Sequence, residues 1–178
     1  MVQANIVMLA KDDKLNLELV PEATVFSEYF GAGLSSIVFQ EIREARALAY
    51  SAFATYDIPS REDDYHYVFG FVGTQTDKLK TATDAMLDLM NNMPRAEKQF
   101  NLARETIRKR IQTERITRQS IYYTYLSNLD KGVNYDIRED IYKGAQNMGM
   151  DDLESFFNKH IADHNYTFLI LADKENLD

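Results

Sequence analysis

In the stretch "IREARALAY", Arg43 and Tyr50 stand seven residues apart. A guanidinium is a rigid fork of donors suited to a peptide carbonyl or a carboxylate. A phenol supplies one donor to an oxygen that is gaining negative charge. If both leave the same corner of a fold, they can hold an acyl group during hydrolysis. Neither is a nucleophile or a base, so the pair cannot hydrolyse anything alone. Each residue also has a purely structural explanation. Arg43 lies near the predicted C-terminus of a helix, where the dipole favours a cation, and Arg46 satisfies the same preference. Tyr50 falls in a predicted strand.

The histidines are His66, His160 and His164. "HIADH" spaces the last two four apart, which on a helix puts both on one face, as zinc binding needs. Asp163 stands between them. However, "HNYTFLI" begins a strand almost at once, so the helix is expected to end near Ile161 and the rings to diverge. No third ligand is evident, and His66 reads as a packed or half-exposed strand residue. The chain has no G-x-S-x-G elbow and no P-loop. "GAG" at 31–33 is too short for a dinucleotide fingerprint and reads as a helix stop followed by a tight turn. Arg104, Arg108, Lys109, Arg110, Arg115 and Arg118 are interleaved with Glu105 and Glu114, the pattern of a solvated helix face. Tyr122, Tyr123, Tyr125, Tyr135 and Tyr142 read as core-edge residues, with a peptide-gripping groove as the alternative.

These groups need a scaffold, and 178 residues with 45% hydrophobic content provide for one domain with a sizeable core. A net charge of −8 excludes a broad nucleic-acid footprint and hints at tolerance for basic peptides. The absence of cysteine excludes disulfides and thiolate metal sites but assigns no compartment. No run approaches the roughly 18 apolar residues of a membrane span. "MVQANIVMLAKDDK" lacks the basic start of a signal peptide and reads as a strand, so the chain is expected to begin in mid-protein.

Residues 3–10 form a short apolar run bounded by "KDDK", which predicts a buried strand. "PEATVFSEYFG" predicts a helix with Pro21 in its first turn and Gly31 at its end. In "LSSIVFQEIRE", Leu34, Ile37, Val38 and Ile42 have helical spacing. Residues 47–57 and 64–74 predict an antiparallel hairpin around the loop "IPSRED", with Tyr50 and Tyr56 in phase at period two. Thr76 reads as the N-cap of a helix whose stripe is Leu79, Ala82, Met86, Leu89 and Met93, broken by Pro94. A further helix carries Phe100, Ala103, Ile107 and Ile111. Another carries Ile121, Tyr122, Tyr125, Leu126 and Leu129 and ends near Gly132. "DIREDIYKGAQNM" and "MDDLESFFNKHI" predict two shorter helices, the second with an Asp cap, and residues 166–173 a closing strand. The order implies an α+β domain over residues 1–178: a mostly antiparallel sheet of about four to five strands with helices on one face.

The segment "FGAGLSSIVFQEIREARALAYSAFATY" closely resembles the glycine–small–Ser-Ser–Phe-Gln-Glu–Ile-Arg-Glu–Leu-x-Tyr-Ser segment of the pitrilysin/insulinase family of zinc metallopeptidases, mitochondrial-processing-peptidase relatives included. The likeness is to their non-zinc-binding, "inactive" domain. "FVGTQTDKLKTATDAM" is similar to the family's strand–Gly–Thr–turn–Asp-Lys–helix passage, and "FFNKHIADHNYTFLILADKENLD" to its closing helix and last strand. Nearly the whole chain is covered, most specifically at 29–56.

The resemblance implies a clamshell of tandem α+β domains, of which this chain is one piece. The zinc domain of such proteins carries an H-x-x-E-H motif and a downstream glutamate. The partner domain lends an Arg and a Tyr seven apart, matched here by Arg43 and Tyr50. The implied roles are substrate orientation for Arg43 and stabilisation of the tetrahedral intermediate for Tyr50. Several departures stand beside this. No H-x-x-E-H occurs, and "HIADH" falls at the wrong place to replace it, so no zinc is expected on this chain, and no cleavage by it alone. "GGG" is here "GAG", with Ala32 the change. The glycine-rich loop of the processing peptidase's non-catalytic subunit is absent, and the chain stops where more sequence is expected. The expected partners are a zinc-binding domain of the same parent chain or of another subunit, and a peptide substrate. The rivals are a catalytically silent scaffold domain of the same fold and a stand-alone metal protein using His160 and His164.

Overall fold

The computed structural model describes residues 3–173. Its four strands are β1 (Gln3–Lys14), β2 (Ala49–Asp57), β3 (Tyr65–Gln75) and β4 (Thr167–Leu171), in the order β2-β3-β1-β4 with every pair antiparallel. The helices are α1 (Val20–Phe26), α2 (Leu79–Asn91), α3 (Glu97–Thr113), α4 (Arg118–Asp130), α5 (Arg138–Asn147) and α6 (Met150–His160). Two π-helical segments, Ser27–Gly31 and Phe39–Ala45, join α1 to β2. The fold is α+β, and no described helix is long and apolar enough to cross a membrane.

Strand alternation decides where the core lies. Ala4, Ile6, Met8 and Ala10 of β1, Val68 and Val72 of β3, and Ala52, Ala54 and Tyr56 of β2 are buried on one face. The helices answer with residues three and four apart: Ala82, Ala85, Met86, Leu89 and Met90 on α2, and Phe100, Ala103 and Ile107 on α3. Phe26 stacks on Phe30 with ring centroids 5.0 Å apart, and Tyr29 meets Phe100 edge-on at 6.2 Å. The other sheet face is not buried in this way. Phe53 there stacks on Phe69 at 5.7 Å and on Phe71 at 5.4 Å, and cross-strand pairing continues that row through Val7 to Leu169.

A polar knot ties the far ends of β1, β2 and α6. Asp12 Oδ2 accepts the Tyr56 hydroxyl at 2.6 Å and lies 2.7 Å from His160 Nδ1. Burial alone would raise the Asp12 carboxyl, but the bonds from Tyr56 and His160 outweigh it and hold its pKa below the ordinary value. Burial, and next the bond to Asp12, push the Tyr56 phenol upward. His66 is fully buried against Tyr56. Its Nε2 accepts the Asn16 N–H at 3.1 Å, leaving Nδ1 to donate to the Asp57 carbonyl at 3.0 Å.

Several sequence expectations need correction. β1 runs through "KDDK" to Lys14 rather than stopping before it. Leu34, expected on an apolar helix face, is 72% exposed, because the chain becomes helical only after a bend; Ile37, Val38 and Ile42 are buried as expected. Thr76 caps nothing: it opens a 3₁₀ turn, Thr76–Lys78, and its hydroxyl has no hydrogen-bond partner in the structure. At α6 the capping acid is Asp152 inside the first turn, which accepts the Gly149 N–H at 2.8 Å. α4 exists, but Ile121, Tyr122, Tyr123, Tyr125 and Leu129 are exposed, and Asn128 is its buried residue. The basic residues of α3 are not all solvated. Arg104 Nε donates to the Ala145 carbonyl at 2.7 Å, whereas Arg110, which reaches Glu28 at 3.1 Å, stays exposed as expected. Residues 174–178, the tail of the "LADKENLD" stretch, lie outside the described residues.

Candidate functional site

The corner between the Phe39–Ala45 segment and β2 is built by a short series of backbone bonds. The Leu48 N–H donates to the Ile42 carbonyl at 3.0 Å, and the Ala47 N–H to the Arg43 carbonyl at 3.2 Å. Turning this sharply puts Ala47 at φ 48°, the left-handed region that L-residues other than Asn and Asp seldom enter. The conformation is pinned from outside: Lys78 Nζ donates to the Ala47 carbonyl at 3.1 Å, and the Thr74 hydroxyl donates to the Leu48 carbonyl.

β2 then begins with a bulge. Ala49 pairs with Thr74, and Ser51 with Gly73, so Tyr50 is an extra residue on its strand. The expected phase of Tyr50 with Tyr56 is thereby broken. Tyr56 is buried, while Tyr50 is 54% exposed. Without the bulge, period two would have carried Tyr50 into the core with Ala52, Ala54 and Tyr56.

Arg43 and Tyr50 line one open cavity of about 420 Å³, together with Glu44, Gln75 and Lys78. Arg43 lies over the Phe39 ring at 4.8 Å, its Nε 3.8 Å from Glu44, with its side chain 46% exposed. At that length and exposure the ion pair holds the guanidinium only loosely. Gln75 Nε2 donates to the Tyr50 hydroxyl at 2.8 Å. A fork of donors and a phenol thus border the same open cavity.

Gln75, Lys78 and Ala47 escaped the sequence reading. One signal for two of them was available: an antiparallel hairpin sets the last residues of β3 beside the first of β2, so "GTQTDK" must border Tyr50. The histidine pair does not share a helix face, because His164 lies beyond the turn that follows α6. His160 ends α6 and turns inward to Asp12. Asp12, Asp13 and His160 bring ligand-type atoms within 4.8 Å, but Asp12 Oδ2 already holds both Tyr56 and His160. One histidine and two acids of a structural knot do not fit a catalytic zinc.

The family described as peptidase M16 inactive domain matches residues 3–107. The chain belongs to that family. Solved structures share the fold of this M16 domain. A peptidase M16 inactive domain from Pseudomonas fluorescens is 14% identical, with a TM-score of 0.76, over 98% of this chain and 43% of that one. The inactive peptidase domain of a candidate zinc protease from Bordetella parapertussis is 9% identical, with a TM-score of 0.78, over 96% of this chain and 92% of that one. A chain of complex III2 from Candida albicans is 12% identical, with a TM-score of 0.72, over 99% of this chain and 46% of that one. This M16 domain therefore spans less than half of the Pseudomonas chain. No curated protein matches it.

Proposed function

We propose that this domain is one piece of a larger, multidomain zinc-dependent endopeptidase, and that it contributes Arg43 and Tyr50 to a zinc site carried by another domain or chain. The observation that carries the reading is their convergence: two elements separated by a sharp corner deliver both side chains to one open cavity. The cost of that corner, a left-handed alanine and a bulge, is hard to account for if Tyr50 were an ordinary strand residue.

Zinc, where bound, activates water and polarises the scissile carbonyl. This chain's own residues do the rest of their work by binding and charge. Tyr50 donates its hydroxyl proton in a hydrogen bond to the carbonyl oxygen as that oxygen becomes anionic. Arg43 grips a peptide carbonyl or carboxylate through its fork and sets the register of the substrate. Its loose tie to Glu44 leaves it free to do so.

The test is kinetic, in the parent peptidase. Tyr50→Phe lowers kcat by about tenfold or more, a conservative figure beside the roughly 10²–10³-fold that losing one oxyanion donor costs. Arg43→Ala raises KM, lowers kcat, or both. Wild-type turnover in Tyr50→Phe removes the tyrosine from the mechanism, and wild-type kinetics in Arg43→Ala leave that residue only its helix-end role.

One observation favours a second reading, a catalytically silent scaffold domain. α4 exposes Tyr122, Tyr123 and Tyr125, residue types enriched at protein interfaces. A parent without an H-x-x-E-H motif elsewhere would decide for the scaffold.

A further inference from the structure

Tyr50 can serve an oxyanion only if its single proton points into the cavity. We propose that Gln75 is the positioning residue that keeps it there, an inference that rests on the catalytic reading of Tyr50. The contact is direct: the Gln75 side-chain amide donates to the Tyr50 oxygen across 2.8 Å. A phenol oxygen has one proton to give and lone pairs to receive. With an amide N–H on the accepting side, the O–H must turn elsewhere. Accepting that bond also polarises the O–H and strengthens it as a donor.

The other donors of the cavity do not take this role. Lys78 Nζ is turned to the Ala47 carbonyl at 3.1 Å, and Arg43 lies over the Phe39 ring. The surroundings of Gln75 are consistent with a dedicated polar end to the strand. Gln75 pairs with Gln3 of β1, and Gln3 Nε2 donates to Asn5 Oδ1 at 3.1 Å. Gly73 lies between these groups and Ser51, where an added Cβ would meet Ser51 Oγ at 2.8 Å and Gln3 Nε2 at 3.0 Å. Two positions along each strand the same face turns to Phe53 and Phe71. The sheet face is thus neutral and hydrogen-bonding beside Tyr50 and apolar beyond it. No carboxylate at position 75 competes for the phenol proton.

Gln75→Leu and Gln75→Glu in the parent peptidase, each made with Tyr50 and with Tyr50→Phe, test this. Gln75→Leu is expected to lower kcat by about threefold to tenfold, the value of one neutral hydrogen bond, with KM within about twofold. It should cost nothing further beside Tyr50→Phe. Gln75→Glu reverses the bond, because a carboxylate can only accept. Its loss is larger at neutral pH and shrinks on acidification toward the carboxyl's own range, near pH 4.3; a merely structural role would not produce that profile. Melting temperatures close to wild type confirm that the variants fold. Impaired Tyr50→Phe beside unimpaired Gln75→Leu overturns the positioning role alone, as do losses that multiply in the double variant or wild-type turnover in Gln75→Glu. Wild-type turnover in Tyr50→Phe overturns the catalytic reading, and the positioning role with it.

Discussion

Replacing Gly31 by alanine tests how the helical layer is set against the strand that carries Tyr50. Gly31 closes the Ser27–Gly31 turn, and its α-carbon faces the β2 backbone at Ala54. A Cβ built there would lie 1.7 Å from the Ala54 oxygen and 2.4 Å from its carbonyl carbon. The obstacle is main chain, so no rotamer change relieves it. Even a 3.0 Å approach requires the turn and the strand to part by about 1.3 Å. That opening would unseat Tyr29 and Phe30, both buried, and the ring stack of Phe26 on Phe30. Overpacking usually costs about 1–3 kcal/mol, and a backbone collision belongs at the upper end. Taking about 3 kcal/mol, and about 2–4 °C per kcal/mol for a chain of this size, Tm should fall by roughly 6–12 °C. The internal control is Gly33, which has φ 80° and open space around its α-carbon. Gly33→Ala costs about 1–2 kcal/mol of left-handed strain and no collision. Thermal unfolding followed by circular dichroism compares the two. A Gly31→Ala domain melting within about 2 °C of wild type, or a larger loss at Gly33, refutes the reasoning.

The knot at Asp12 makes stability depend on acid. The folded carboxyl titrates below its unfolded value, so its contribution is present above about pH 4 and is lost as pH falls through the folded pKa. Asp12→Asn should cost about 1–2 kcal/mol at pH 7, and the gap between urea titrations of variant and wild type should narrow as pH falls below about 4; a gap that does not change with pH contradicts this. At the corner, Ala47→Gly should be neutral or stabilise by up to about 1 kcal/mol, because glycine enters φ 48° without a Cβ penalty. Ala47→Val should cost about 2 kcal/mol or more, and a melting series reversing that order would show that the left-handed residue carries no strain.

Much of this architecture follows from patterns local enough to read along the chain. Val68, Val72 and their half-exposed aromatic neighbours alternate as a strand with one wet face must. The α2 stripe from Ala82 to Met90 is spaced for a single buried side. What escaped depends on pairing between distant segments. The Tyr50 bulge cannot be inferred from β2 alone, because it exists only as a mismatch against Thr74 and Gly73 of β3. Gln75 and Lys78 look like turn residues until the hairpin sets them beside Tyr50 and Ala47. The α4 tyrosines illustrate the opposite limit. Their spacing announced a helix correctly, but spacing says nothing about whether another surface is there to meet it. Arg43 and Tyr50 stood out because the chain around them resembles a known segment, and the corner then explained how both reach one cavity.

The order of the sheet has a consequence for biosynthesis. Among the described strands β1 leaves the ribosome before the others, yet its neighbours are β3 and β4, and β4 is made after the other three. While residues 15–166 are being translated, Met8 and Ile6 wait with one flank of their hydrogen-bonding groups unanswered until Phe168 and Ile170 arrive. Non-local pairing of this kind is slow to form and open to wrong partners in the interval. During its synthesis this domain is therefore most vulnerable at β1, and a chaperone acting on it would have its longest opportunity there.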